Sequence, residues 1–170
     1  MTSGEHDVIA RLRDGTEVAA WMFKAKPEVW DVIGAIRACL ADPSAPPIDS
    51  WGLVDNYRVA LVHAGQPCVL WVTGGRHSPT TGVWAMGHVT TEPYPAPEGD
   101  DGGLRPHVGL ELDLLASPIR LIELATDERF ARAEIIRAPR VSSPVALTGE
   151  EWEAIDDAWS DAFSPDGLAR

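Results

Sequence analysis

The pattern of apolar and polar positions along the chain predicts a strand, a helix, several further strands and a final helix. Residues 18–24 and 68–72 are compact apolar runs, which are typical of buried strands. Residues 82–91 predict another strand, in which two glycines indicate a close approach of backbones. Residues 107–115 alternate as a half-buried strand does, with four apolar side chains on one face: Val108, Leu110, Leu112 and Leu114.

Two segments have helical spacing. Pro27 opens the first, because proline is favourable in the first turn of a helix. Its apolar positions recur at a spacing of about 3.6 residues and share one face: Val29, Trp30, Ile33, Ile36 and Leu40. The second begins at Thr148, where Thr-Gly-Glu-Glu fits a capping box. Its apolar stripe consists of Trp152, Ile155, Trp159 and Phe163.

The remaining segments complete a single-domain organisation. Residues 1–17 form a loose lead-in, with a short strand at 8–12 that a turn at Asp14-Gly15 closes. Residues 92–106 are rich in proline, glycine and aspartate and predict a mobile surface loop. Residues 18–170 form one domain that ends in an acidic amphipathic helix. The order of elements predicts an α+β fold with a mixed or barrel-like sheet and flanking helices.

Charge changes this picture, because 14 Lys and Arg stand against 26 Asp and Glu, which gives a net charge of −12 over 170 residues. A uniformly acidic surface repels nucleic acid and anionic membranes, but it leaves room for a small site that holds one base or one ligand. Residues 18–91 are neutral, with five acids and five bases, whereas residues 150–170 hold seven acids and one arginine. The neutral stretch predicts weak contact with a phosphate backbone.

Several classes of site find no support in the residues. Cys39 and Cys68 have no CxxC spacing and no histidine cluster nearby, so we expect free thiols and no zinc. The five histidines lack metal-ligand spacing, and no cofactor motif is present, so we expect neither metal nor cofactor. No apolar run approaches the roughly 18 residues of a membrane helix. The polar N-terminus is unlike a signal peptide, and we expect a cytoplasmic protein without membrane contact.

Seven tryptophans are unusual for this length. Trp30, Trp152 and Trp159 lie on the predicted helical stripes and are expected in the core. Three more lie in strands and are expected there too: Trp21, Trp71 and Trp84. Trp51 differs, because it follows a polar loop and precedes a glycine. An aromatic ring at such an edge is suited to stack on a planar ligand.

Four segments, in order, resemble one known family. They are WMFKAKP at 21–27, WGLVDN at 51–56, GQPCVLW at 65–71, and TGVWAMGHV at 81–89 followed by EPYP at 92–95. This series is similar to that of EVE domains and covers roughly residues 18–147. EVE domains are related to YTH and ASCH domains within the PUA-like superfamily. The resemblance therefore implies a mixed, barrel-like PUA-type sheet with flanking helices.

The resemblance also implies a binding module rather than an enzyme, one that holds a modified nucleobase of DNA or RNA, or a small planar molecule, in an aromatic-lined pocket. The matching positions are Lys24, Ala25, Trp51, Asn56, Gly82 and Val83. Trp51 would form the pocket wall, Asn56 would read a base edge, and the other four would line the pocket. Plainer roles stay open for four of these residues. Lys24 would be an exposed lysine at a strand end, Asn56 would cap a turn, and Gly82 would serve only a turn. Trp51 would be a core residue. The related YTH domains have a second aromatic wall of the pocket in the loop that corresponds to residues 98–107, but this sequence has no tryptophan there.

Two other functions stay open. An ASCH-like hydrolase or nuclease would use Lys24 with a nearby acid for general acid–base chemistry, although no nucleophile, base and orienting residue occur together. An acidic protein-interaction module would use the helix at 150–166 to bind a protein partner.

Overall fold

A computed structural model describes residues 9–163 of the chain. Within these residues there are seven strands, four α-helices and one 3-10 helix. The strands are β1 (Ala20–Ala25), β2 (Ser50–Gly52), β3 (Pro67–Val72), β4 (Gly82–Val89), β5 (Tyr94–Pro97), β6 (Leu104–Arg120) and β7 (Val145–Leu147). The helices are α1 (Val32–Ala41), the 3-10 helix (Tyr57–Leu61), α2 (Leu121–Leu124), α3 (Glu134–Arg137) and α4 (Gly149–Ala162).

The strands form one mixed sheet in the order β2-β6-β4-β3-β1-β7, and β5 pairs with β6 outside this path. Strands β1 and β3 are parallel, with Trp21 opposite Cys68 and Ala25 opposite Val72, while the other strand pairs are antiparallel. The sheet curls into a half-barrel and carries helices beside it. This confirms the predicted α+β class with a mixed, barrel-like sheet. No helix within residues 9–163 combines the length and apolar character that crossing a membrane requires.

The long strands bend because their pairing is interrupted. The register shifts between Leu70 and Trp71 of β3, and again within β4 where it pairs with β6. Bulges of this kind increase the local twist and curl a sheet. Gly82 and Gly87 stand where β4 meets β6, and a side chain at either position would overlap the backbone of β6. The predicted close approach at these glycines is confirmed.

Side chains of β1 and β3 alternate between the two faces of the sheet. Met22 and Trp71 point to the side that α2, α3 and α4 cover, hereafter the helix-covered face. There the indole of Trp71 stacks on Phe130, with ring centroids 6.3 Å apart and planes 24° apart. Trp21 and Cys68 point to the other side, which is the concave interior. Trp21, Trp71 and Trp84 are buried as predicted, and Trp152 and Trp159 pack partly against the helix-covered core.

The first helix differs from its prediction. It begins at Val32, because the Asp31 side chain accepts a hydrogen bond from the Gly34 amide at 3.0 Å and caps it. Residues 27–30 form a turn instead, in which the amides of Val29 and Trp30 donate to the Lys26 carbonyl. The buried side chains of α1 are Val32 and Ile36. Trp30 is 45% exposed, so its predicted place in the core is wrong.

Residues 92–106 also differ from their prediction. Much of the expected loop is the hairpin of β5 and β6, which pairs Tyr94 with His107 and Pro97 with Leu104. The Glu98 amide donates to the Gly103 carbonyl at 3.0 Å and closes its turn. Prolines are tolerated in β5 because an edge strand leaves some amide positions unpaired. Composition suggested a loop, whereas pairing with the long β6 orders the segment.

The structure confirms the prediction for the C-terminal helix cap and corrects the one for the N-terminal strand. Arg11 and Glu17 form an isolated bridge around the turn at 14–15, and Ala10 is buried against the interior. The predicted strand at 8–12 is reduced to this bridge in the part described, and residues 1–8 lie outside the described range. The Thr148 cap is confirmed, since its hydroxyl accepts from the Glu151 amide at 3.3 Å. Residues 164–170 of the acidic tail also lie outside that range.

A cleft at the open seam of the half-barrel

The candidate site is a cleft of about 760 Å³ where the two edges of the curled sheet approach each other. Its walls come from residues 24–26, 29–30, 50–55 and 140–143, together with Glu98, Arg105 and His107. Strand β1 therefore faces β2 across the cleft, although several strands separate them in the sheet. Ser143 joins the two sides, because its hydroxyl accepts from the Lys24 amide at 2.8 Å and its carbonyl accepts from the Val54 amide at 3.0 Å.

Two tryptophans lie together in the cleft. Trp51 is held by β2, where it pairs with Val108 of β6, and it packs partly against the core while remaining half-buried. Trp30 comes from the turn before α1, and its ring centroid is 5.8 Å from that of Trp51 with an interplanar angle of 54°. Because the rings are tilted and incompletely buried, an aromatic surface is available to a ligand.

Lys24 is tied to the cleft wall. Its ammonium donates to the carbonyls of Pro139 and Val141, at 2.8 and 2.6 Å. Burial lowers the pKa of Lys24, and the positive charge of Lys26 lowers it further. The two carbonyl bonds flank Arg140, so Lys24 fastens the loop that carries this arginine into the cleft lining.

The cleft gathers charges that have no internal partners. Within residues 9–163, the side chains of Lys26, Arg105 and Arg140 have neither a hydrogen bond nor an ion pair. The carboxylates of Asp55 and Glu98 also line the cleft and are likewise unpaired in that range. With Lys24, the cleft has four cations and two carboxylates, so its lining is positive although the chain carries −12.

The residues that the sequence predicted for the site are partly brought together. Lys24, Ala25 and Trp51 line the cleft. Asn56 lies outside it, and its side-chain oxygen accepts from the Arg58 amide at 2.9 Å and caps the 3-10 helix. Gly82 and Val83 are buried in β4, away from the cleft lining. Ligand contact by any of these six residues stays a prediction.

Sequence reasoning missed several residues that line the cleft. Four of them are Trp30, Glu98, Arg105 and Arg140. Trp30 had a signal, because it follows Pro27 closely and precedes Asp31, a good cap residue, so the helix could begin after it. The other three had none, since closure of the sheet alone brings residues 98–105 and 140 to the end of β1. Within the part described, no group of three or more His, Cys, Asp or Glu residues could hold a metal ion.

Comparison with solved structures shows that other proteins share this architecture of a mixed half-barrel sheet with helices beside it. An NMR structure of a Rhodopseudomonas palustris protein aligns with a TM-score of 0.58 at 20% identity, covering 83% of this chain and 92% of that one. A crystal structure from Pseudomonas putida gives 0.58 at 16% identity, covering 82% and 99%. A hypothetical protein from Leishmania major gives 0.59 at 13% identity, covering 86% and 98%.

These similarities establish the fold alone, because their sequence identities are low. No family model matches the sequence. No curated protein matches it either.

Proposed function

We propose that this chain is an EVE-like binding module whose cleft holds a modified nucleobase, in DNA or RNA, or a small planar ligand. The observation that carries the proposal is the position of Trp51. It is half-buried on β2, faces the cleft beside Lys24 and has the neighbouring ring of Trp30 at 5.8 Å. Both Trp51 and Lys24 belong to the segments that resemble EVE domains.

The size and composition of the cleft support a small planar ligand. Its volume of about 760 Å³ falls within the range of roughly 300–1,000 Å³ that small-molecule sites occupy. Stacking of a base on an aromatic side chain contributes roughly 1–3 kcal/mol. For a base that is part of a nucleic acid, this gain offsets the few kcal/mol that it costs to unstack the base from its neighbours.

The unpaired cations support a ligand that carries a phosphate. The sequence predicted weak phosphate contact, because residues 18–91 carry no net charge. The fold adds Arg105 and Arg140 to Lys26 around the same cleft. Cations that lack carboxylate partners remain available to phosphate oxygens, and arginine can bind two of them at once.

A pool of nucleotides tests the proposal without prior choice of the modification. Total cellular DNA and RNA, digested to 5′-mononucleotides, is equilibrated with the protein, and retained species are identified by mass spectrometry. We expect at least one modified nucleotide to be retained by the unaltered protein. Trp51→Ala should reduce its retention at least tenfold, because the stacking surface is lost.

Trp159→Ala is the matched control, since it removes a half-buried tryptophan on α4 outside the cleft. Circular dichroism checks that both variants are folded. Equal retention by the Trp51 and Trp159 variants, or retention of nothing by the unaltered protein, contradicts the proposal. Conversion of a pool component by the unaltered protein, lost in Lys24→Ala, would indicate a hydrolase instead.

A further inference from the structure

A carboxylate lies beside the aromatic wall of the cleft. Glu98 is in the turn of the β5–β6 hairpin, where its amide donates to the Gly103 carbonyl. Its side chain reaches back over β2 and rests against Gly52, the residue after Trp51. A β-carbon at position 52 would stand 2.7 Å from Glu98 Oε1. The Glu98 carboxylate can therefore occupy this position only because residue 52 has no side chain.

The oxygens of Glu98 are unused by the protein. Within residues 9–163, its side chain forms no hydrogen bond and no ion pair, although Lys26, Arg105 and Arg140 line the same cleft. A carboxylate only accepts hydrogen bonds, and its two oxygens can receive two parallel donors. The cleft thus offers a pair of acceptors next to a stacking surface.

We propose that Glu98 determines specificity by accepting hydrogen bonds from the edge of the bound ring. The inference rests on the proposed function and narrows its ligand to a ring with two adjacent N–H donors, to one with a delocalised positive charge, or to one with both. Guanine presents adjacent N1–H and N2–H donors, which match two carboxylate oxygens. N-alkylation that makes the ring cationic adds attraction to Glu98 and to the face of Trp51.

The same geometry disfavours an adenine-type edge. Adenine places the N1 acceptor beside its amino group, so one carboxylate oxygen would face a lone pair. Once a ligand covers Glu98, an oxygen that faces a lone pair weakens binding of the adenine-type ring and so favours the donor-rich one. The cations and Glu98 together fit a ligand whose donor-rich ring and phosphate lie in one cleft.

Titration of the protein's intrinsic tryptophan fluorescence with three defined probes tests the inference. The probes are 7-methylguanosine 5′-monophosphate, GMP and AMP. We expect the first to bind at least tenfold more tightly than AMP, with GMP between them. Glu98→Gln should reduce that ratio to threefold or less, because an amide replaces one acceptor with a donor and removes the charge.

Glu128→Gln is the matched control, because Glu128 is an exposed carboxylate outside the cleft, and the full ratio should persist there. Equal binding of the three probes, or a ratio that Glu98→Gln leaves unchanged, overturns the inference. Failure of all three probes to bind the unaltered protein overturns it too. The nucleotide pool and the Trp51 variant decide the proposed function separately, so a failure of one idea is distinguishable from a failure of the other.

Discussion

The helix-covered face and the cleft treat the same residue types in opposite ways. Near α3 and α4, Arg58 forms a bidentate pair with Glu134, at 2.9 and 2.7 Å, and Arg129 bonds both Asp127 and Asp157. At the cleft, cations and carboxylates share the lining without pairing. Within residues 9–163, arginines without a carboxylate partner also occur elsewhere, at Arg37, Arg76 and Arg132, so the distinguishing feature of the cleft is that its free cations surround one cavity.

The tryptophans show the same contrast. Trp71 is 2% exposed and stacks on Phe130 in the core of the helix-covered face. Trp30 is 45% exposed, and Trp51 is half-buried beside it. A ring that packs on all sides contributes to stability, whereas a ring with an open face is available for stacking. Together, the charges and the rings separate the stabilising side of the molecule from its candidate binding side.

The largest expected difference comes from truncating one tryptophan on each side. Trp71→Ala should lower the free energy of unfolding by roughly 3–5 kcal/mol, because it leaves a large cavity in the core. Trp30→Ala should lower it by less than half as much, since Trp30 is 45% exposed and its loss leaves no closed cavity. Urea unfolding at neutral pH measures both values. Similar losses in the two variants would show that Trp30 is a structural residue and would weaken the contrast.

The sequence predicted the stabilising side better than the binding side, for a physical reason. The burial of Met22 and Trp71 follows from a compact apolar run within each strand, and Thr148 caps α4 through an amide only three residues further along the chain. The cleft depends on the closure of the sheet, which brings Arg105 and Arg140 together from distant segments. Motif resemblance found Lys24 and Trp51, whereas no periodicity could place Glu98 over Gly52.

A second difference concerns charge. Glu134→Gln breaks the Arg58 pair, whose side chains are 14% and 19% exposed. It should lower the free energy of unfolding by about 3 kcal/mol, the low end of the cost of disrupting a buried pair. Arg105→Gln should change it by less than about 0.5 kcal/mol, as is usual for surface residues. The cleft variant should instead weaken retention of nucleotides from the pool. A stability loss in Arg105→Gln comparable to that in Glu134→Gln would contradict the view that the cleft cations are kept for a ligand.

The smallest expected effect on stability comes from a carboxylate on the helix-covered side that departs from the pairing described there. Glu151 lies on the helix-covered side, is 7% exposed, and its Oε2 has no hydrogen-bond partner. Burial raises the pKa of Glu151 above its ordinary value of 4.5. The folded state therefore binds this proton more tightly than the unfolded state does, and stability falls as the pH rises from 4.5 through the raised pKa. At a pH above the raised pKa, Glu151 is ionised in both states, and the folded state bears the full cost of the buried charge.

Glu151→Gln should consequently stabilise the protein at neutral pH, by at most about 1 kcal/mol, the scale of one unsatisfied buried acceptor. The gain should shrink as the pH falls and vanish below 4.5, where both states of the unaltered protein carry the proton. Thermal unfolding across pH 4–8 measures this. Glu98→Gln is the matched variant on the cleft side, and at neutral pH it should change the free energy of unfolding by less than about 0.5 kcal/mol, because the side chain is exposed. If Glu98→Gln gained stability and Glu151→Gln did not, the prediction would be wrong, and the carboxylate that destabilises the fold would be the one in the cleft.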